Sequence, residues 1–394
     1  MTNFEFHVPS KIVYGKGTHK EIGKRLEGKG KKALILYAGE FVKETGLYDD
    51  AARSLDENGI SHVELGGVTP NPHLSLVLEG SKLCKEENVD MILAIGGGST
   101  IDAAKAIAFG AFYEGDDLWE DHFINRKPID RALPIAVILT IPASGSENSS
   151  NSVITNEKKL LKRGFSDDLL YPALSVINPE LFYTLPAEHI SYGIADMMSH
   201  IFEGYFTNTL NTDLIDGISE SVLKTIMRHG LILSKDPADY DSWCQIGFAA
   251  SLANGGLMRS GRQFDGACHA MGRMMSAEYD IVHGAGLAIL TPCWMEYVYK
   301  DNIAMFAHFA VNVMGVEGSL RELEKVALEG IMRLRGFFRQ MNLPRRLSEF
   351  GVAENSLEDI AKKVTFELSE VEKPVGGLKK LYWQDVLSIY KHAY

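Results

Sequence analysis

"AIGGGSTIDAAKAIA", Ala94 to Ala108, sets three consecutive glycines between an apolar run and a run of alternating small and apolar residues. The apolar run reads as a buried strand, and the second run as a helix that opens with Ser99 and Thr100. Glycine in such a turn lets the backbone bend sharply and leaves no side chain above it. The first-turn N–H groups of the helix and the positive end of its dipole then favour an anion, with a pyrophosphate the natural guest. The pattern departs from the usual dinucleotide fingerprint: Gly96 and Gly98 fill the first two positions of G-x-G-x-x-G, but Ile101 stands at the third. No G-K-[ST] follows, so it is not a Walker loop either. The glycines alone fit a plain tight turn equally well. Asp102 adds a carboxylate that would repel a phosphate but could accept hydrogen bonds from ribose hydroxyls or a nicotinamide amide.

The neighbourhood repeats the strand-to-helix rhythm. Short apolar runs at "KALILYAG" (Lys32 to Gly39), "SHVELGG" (Ser61 to Gly67), "DMILAIGGG" (Asp90 to Gly98), "PIAVILTIP" (Pro134 to Pro142) and "ALSVINP" (Ala173 to Pro179) alternate with helix-like stretches. This predicts βαβ units and a mainly parallel sheet. From about Pro186 the texture changes to long 3.6-period segments such as "DLIDGISESVLKTIMRHGLIL" and "LRELEKVALEGIMRLRGFFRQM", from Leu320, with hardly a strand among them. The expected architecture is an α/β dinucleotide-binding domain over residues 1–185 and an all-helical, metal-binding domain over 186–394. A second polar segment, "LTIPASGSENSSN", follows another apolar strand and brings Thr140 and Ser144 close together. Lys162, in the charged stretch "EKKLLKRGF", could meet a pyrophosphate or could be solvated surface. The acidic cluster "EGDDLWEDHF" reads as a solvated loop.

Composition limits the partners. The 394 residues are 45% hydrophobic and 23% charged, suiting a soluble two-domain enzyme. A net charge of −12 repels nucleic acid and anionic membranes alike, which leaves a small-molecule substrate as the expected partner. No apolar run reaches the length needed to span a bilayer. The N-terminal stretch lacks the basic-then-apolar pattern of a secretory signal, so a cytoplasmic location is expected. Cys84, Cys244, Cys268 and Cys293 are scattered without C-x-x-C pairing and read as reduced core residues.

The helical half carries metal-ligand spacing. Asp196 and His200 stand four apart in "GIADMMSHIFEGY", so a helix projects both from one face. Downstream, "GACHAMGRMMSAEYDIVHGAG" sets His269 in a helix-like segment and His283 just before glycines. One carboxylate and three imidazoles suit Fe²⁺ or Zn²⁺ and leave room for a substrate oxygen.

G-G-G-S-x-x-D-x-x-K, T-x-P-x-[ST]-G-S-E, D-x-x-x-H and H-x13-H-G occur here in the order found in iron-containing (group III) alcohol dehydrogenases, and the resemblance spans the chain. It is closest to the branch of butanol dehydrogenases and broad-range aldehyde reductases. The resemblance implies the dehydroquinate synthase-like architecture, with cofactor and metal meeting in a cleft between the halves, and a homodimer. It implies NAD(P)(H) contacts from Gly97, Gly98, Ser99, Asp102, Thr140, Ser144 and Lys162, and metal ligation by Asp196, His200, His269 and His283. Arg273 stands where many relatives carry a histidine near the nicotinamide, so a proton-relay role does not carry over, since Arg does not act as a base. Where an acidic residue tends to mark NAD, this chain has Gly39. Relatives that prefer NADP often show Gly-Gly-Gly-Ser there, against Ala38, Gly39, Glu40 and Phe41 here. Room at Gly39, with Lys43 offsetting Glu40, tips the expectation towards NADP(H). The expected activity is interconversion of primary alcohols and aldehydes by hydride transfer. The alternatives are a polyol (glycerol-type) dehydrogenase and a dehydroquinate synthase-like lyase; intact ligand positions argue against a non-catalytic binding protein.

Overall fold

The computed structural model describes residues 1–318, 322–366 and 369–394, so the first two residues of the expected helical segment from Leu320 lie outside the described residues. Its strands are β1 (Lys11–Tyr14), β2 (Lys32–Tyr37), β3 (Ser61–Leu65), β4 (Met91–Gly96), β5 (Ile135–Leu139), β6 (Asn151–Asn156), β7 (Leu161–Ser166) and β8 (Leu174–Ile177). Six of them form one parallel sheet in the order β1-β8-β5-β4-β2-β3, and β6 and β7 pair as a separate antiparallel hairpin. All five expected runs are strands of the main sheet. β2, β4 and β5 are buried along almost their whole lengths, as central parallel strands covered on both faces must be.

The helices of this half are α1 (Ile22–Leu26), α2 (Phe41–Glu44), α3 (Leu47–Glu57), α4 (Leu74–Glu86) and α5 (Gly98–Gly110). Those that follow are α6 (Ala187–Tyr205), α7 (Asp213–Leu233), α8 (Tyr240–Ala253), α9 (Ala267–Tyr279), α10 (His283–Val298), α11 (Ile303–Asn312), α12 (Leu323–Gln340), α13 (Leu357–Phe366) and α14 (Trp383–Ala393). The chain clusters into two compact units, His7–Thr184 and Leu185–Tyr394 with Met1–Phe6. Among the described residues the second unit holds helices and one isolated bridge, Val375 to Leu381.

Three local expectations are corrected. "EGDDLWEDHF" is not simply a solvated loop: Trp119–Ile124 forms a helical turn that packs His122 and Phe123 against Phe109 and Phe165, with buried Trp119 stacked on Phe123. The acidic residues face out and the aromatics decide the structure. Lys162 sits on β7, in a hairpin that the charges of "EKKLLKRGF" concealed. α5 begins at Gly98, one residue before the expected Ser99.

The sheet places one edge for use. β2 and β4 are neighbours, and the chain leaves β2 for the β3 edge but leaves β4 for β5 on the other side. Strand order therefore reverses between them, and a crevice opens beyond the carboxyl ends of strands at such a point. Tyr37 is level with Ile95, and Gly96 with Leu139, so the segments starting at Ala38, Gly97 and Thr140 all leave from that edge.

Candidate metal centre and dinucleotide site

The first turn of α5 rises directly from β4. Gly97 is its N-cap, in extended backbone, and no side chain caps it. A Cβ built at Gly98 would stand 2.2 Å from Ser144 Oγ, and one at Gly97 would stand 2.9 Å from Ile141 Cβ. The glycines are thus required by the segment after β5, which lies tight against the turn. The side-chain hydroxyls of Thr140 and Ser149 are buried and have no hydrogen-bond partner among the described residues. Buried hydroxyls are normally paired, so the unpartnered one of Thr140, whose N–H donates to the Gly96 carbonyl at the foot of the uncapped helix, suits a polar ligand such as a dinucleotide.

Asp102 has protein partners that its sequence context did not reveal. Its Oδ1 accepts from Ser146 Oγ at 2.5 Å and its Oδ2 from the Val153 N–H at 3.0 Å, so both oxygens already serve the protein. Burial pushes its carboxyl up, opposed by Lys105, the Ser146 hydroxyl and the Val153 N–H. Lys162 Nζ donates to Asn71 Oδ1 at 2.7 Å, in the loop after β3. Gly39 and the exposed Glu40 follow β2. Lys43, expected to offset Glu40, donates to Glu64 Oε1 at 3.0 Å and lies over the rings of Tyr37 and Tyr48.

In the helical unit, α6 carries Asp196 and His200 one turn apart. α9 brings His269, and α10 starts at His283. Asp196 Oδ1 is the common point: His200 Nε2 stands 3.4 Å from it, and His269 Nε2 and His283 Nε2 each 4.0 Å. The ligand atoms of Asp196, His200 and His269 lie within 4.8 Å of one another; His283, a quarter exposed at its side chain, stands outside that tightest group but beside the same oxygen. Four ligands about 2.1 Å from one ion stand about 3.4 Å apart in a tetrahedron. The observed separations, and a donor set of one carboxylate and three imidazoles, fit a divalent transition metal. Burial drives the His200 pKa well below the usual histidine value, with His269 and Arg259 acting the same way, a direction that favours the neutral ring a ligand needs.

The sequence reading missed two residues. Glu203 lies one turn past His200 on α6, accepts the His269 backbone N–H at 2.9 Å, and places Oε2 2.5 Å from His269 Nδ1. Burial pushes its carboxyl up to about 7, against the His269 N–H and the charges of Arg259 and Arg273. The spacing Asp196, His200, Glu203 was the available signal, since i, i+4 and i+7 share a helix face. Lys105 is the other, a fully buried lysine on α5. Arg273 stands one turn beyond His269 on α9.

Both halves match known families. Residues 9–179 fit the model described as iron-containing alcohol dehydrogenase, and residues 190–394 the C-terminal model of the same family. The chain is 39% identical over 395 residues to NADH-dependent butanol dehydrogenase A of Clostridium acetobutylicum, covering all of both chains. It is 32% identical to the NADPH-dependent aldehyde reductase of Escherichia coli, covering 92% of this chain and 93% of that one. The crystal structure of NADH-dependent butanol dehydrogenase A from Thermotoga maritima superposes with a TM-score of 0.95 at 40% identity, covering 100% of this chain and 99% of that one. With the ligand cluster on the helices and the glycine turn at the sheet edge, these matches make the chain a member of the iron-containing alcohol dehydrogenase family, an NAD(P)(H)-dependent oxidoreductase of alcohols and aldehydes.

Proposed function

We propose that the protein interconverts small primary alcohols and aldehydes, with Fe²⁺ or Zn²⁺ held by Asp196, His200, His269 and His283 and with NADH as the hydride donor in the reductive direction. The observation that carries this reading is the ring of three imidazole nitrogens around Asp196 Oδ1. When bound, the metal supplies Lewis acidity to the substrate oxygen and the nicotinamide supplies the hydride, a solvent proton completing the alcohol. The chain's own residues bind and orient. Gly97, Gly98 and Ser99 offer backbone N–H groups to the pyrophosphate, Thr140 offers a buried hydroxyl, and Ser144 borders the turn. Lys162 contributes a cation near the loop after β3, and Asp102 retains lone pairs for a cofactor donor beside its protein partners. Arg273 stays charged, so it acts on the field around Glu203 and His269 and not as a base.

The preference for NADH reverses the expectation from sequence. Lys43 is paired with Glu64, so the exposed Glu40 lacks the offset expected of that lysine. That net negative charge favours a 2′-hydroxyl. A homodimer follows from the family resemblance, and four cysteines that form no disulfide accord with a cytoplasmic location. Among the described residues no helix is long and apolar enough to cross a membrane. The test is turnover of metal-loaded protein with a panel of straight-chain aldehydes and both reduced dinucleotides. The reading expects oxidation of NADH in step with alcohol formation. A larger kcat/KM for NADPH would overturn the cofactor assignment, and no dinucleotide oxidation with any aldehyde would overturn the activity.

A further inference from the structure

Gly98, Asp102 and Lys105 stand at i, i+4 and i+7 on α5, so they form one row on one face. That row faces the segment from Ser144 to Val153. Gly98 meets the Ser144 side chain, as the 2.2 Å clearance shows. Asp102 accepts from Ser146 Oγ and the Val153 N–H, and its backbone carbonyl accepts from Ser152 Oγ at 2.7 Å. Lys105 Nζ donates to the Ser146 carbonyl at 2.8 Å, to Ser146 Oγ at 2.7 Å and to the Asn151 carbonyl at 2.8 Å. Lysine is almost never fully buried, and this one has 0% exposure. Three acceptors match the three donors of an ammonium, whereas a neutral amine has only two N–H bonds. Charge therefore runs from Lys105 through the Ser146 hydroxyl to the Asp102 carboxylate. No donor remains for a substrate or a cofactor, so Lys105 is no catalytic group.

We propose that Lys105 is the positioning residue of the dinucleotide site: through Ser146 and Asn151 it locks the Ser144–Val153 segment against α5, which seats Ser144 over the glycine turn. This rests on reading the N-terminus of α5 as the pyrophosphate site. A buried ion pair is seldom the most stabilising filling for such a space, but its directional bonds specify one register. The lock sets how often the segment stands in its binding arrangement, and affinity falls in proportion to that fraction.

The experiment is dinucleotide titration and steady-state kinetics on full-length, metal-loaded protein for wild type, Lys105→Met and Ser146→Ala. Ser146→Ala keeps the two carbonyl bonds of Lys105 and removes only the relay hydroxyl, so it remains informative where Lys105→Met fails to fold. The lock predicts a dinucleotide Kd at least about tenfold weaker, the loss expected when the competent arrangement is populated about a tenth of the time. It also predicts a KM for dinucleotide that rises with the Kd, kcat at saturating dinucleotide within about twofold of wild type, and unchanged metal content. Unchanged dinucleotide affinity in folded Lys105→Met overturns it, as does unchanged affinity in Ser146→Ala where Lys105→Met does not fold. A fall in kcat without a change in Kd also overturns it. Wild-type protein that binds no dinucleotide refutes the site reading itself, and the lock falls with it.

Discussion

Two helices carry the same arithmetic with opposite results. On α5, Gly98, Asp102 and Lys105 share a face, and on α6, Asp196, His200 and Glu203 do. The α5 row is answered by a nearby stretch of chain, mostly through its backbone, and its charges are absorbed in holding that stretch. The α6 row is answered by side chains from α9 and α10, which bring imidazole nitrogens to one carboxylate oxygen. Polar groups on a helix face thus become scaffold when the facing segment completes their bonds, and a ligand set when the facing groups are themselves lone-pair donors. On the function proposed above, the α/β unit presents backbone to its ligand, and the helical unit presents side chains.

If that division is right, damage to one region leaves the other working. The largest effect is expected from His200→Ala. Loss of metal removes several kcal/mol of charge stabilisation, so kcat/KM falls by about a thousandfold or more. Dinucleotide affinity stays within about twofold, as fluorescence titration checks. A metal-free variant that also lost dinucleotide binding would break the division.

Gly98→Val is the converse. Its new side chain meets Ser144 at the turn, and a displacement of that size costs about a hundredfold in dinucleotide affinity, with metal content by elemental analysis unchanged.

A pH series sharpens the account of the α5 row. Burial lowers Lys105 from its ordinary value of 10.5 to about 8 in the fold, against the opposing charges of Asp102 and Glu147. Between those values the unfolded chain binds the additional proton, so this group makes stability rise with pH above about 8 and opposes the fold by its full amount below that. Urea unfolding of Lys105→Met should lack this share of the slope, and an unchanged slope would contradict the burial argument. The smallest effect is at Glu40. Glu40→Ser removes one exposed charge worth about 1 kcal/mol near a phosphate, and should move the kcat/KM ratio about fivefold towards NADPH.

The same division explains what the sequence made legible. The glycine turn is a contiguous stretch, so Gly97, Gly98 and Ser99 announced the strand-to-helix turn that the structure shows. The strands β2, β4 and β5 were visible because burial on both faces demands unbroken apolar runs. β1 is four residues long, β6 begins and ends on asparagine, and β7 carries two charges and a glycine, so no period marked them. Asp196 with His200 was visible as helix spacing, and His269 and His283 stood out as candidates by their helix-like and glycine-flanked settings, but that they meet Asp196 depends on how α9 and α10 pack, which the family resemblance implied and local spacing did not. The protein partners of Asp102, Ser146 and Val153, were not legible, because they lie too far along the chain for spacing to reveal. Lys105 stood in the motif D-x-x-K, yet its burial is a tertiary fact that no local pattern reports.

The central claim is that the metal cluster on the helices is indispensable to turnover while the glycine turn binds its dinucleotide without it. Chelated, demonstrably metal-free protein should be assayed with an aldehyde and NADH before and after reloading with Fe²⁺ or Zn²⁺, with dinucleotide affinity measured on both preparations. The account predicts no turnover without metal, recovery on reloading, and the same dinucleotide Kd throughout. Full turnover of the metal-free protein would contradict it.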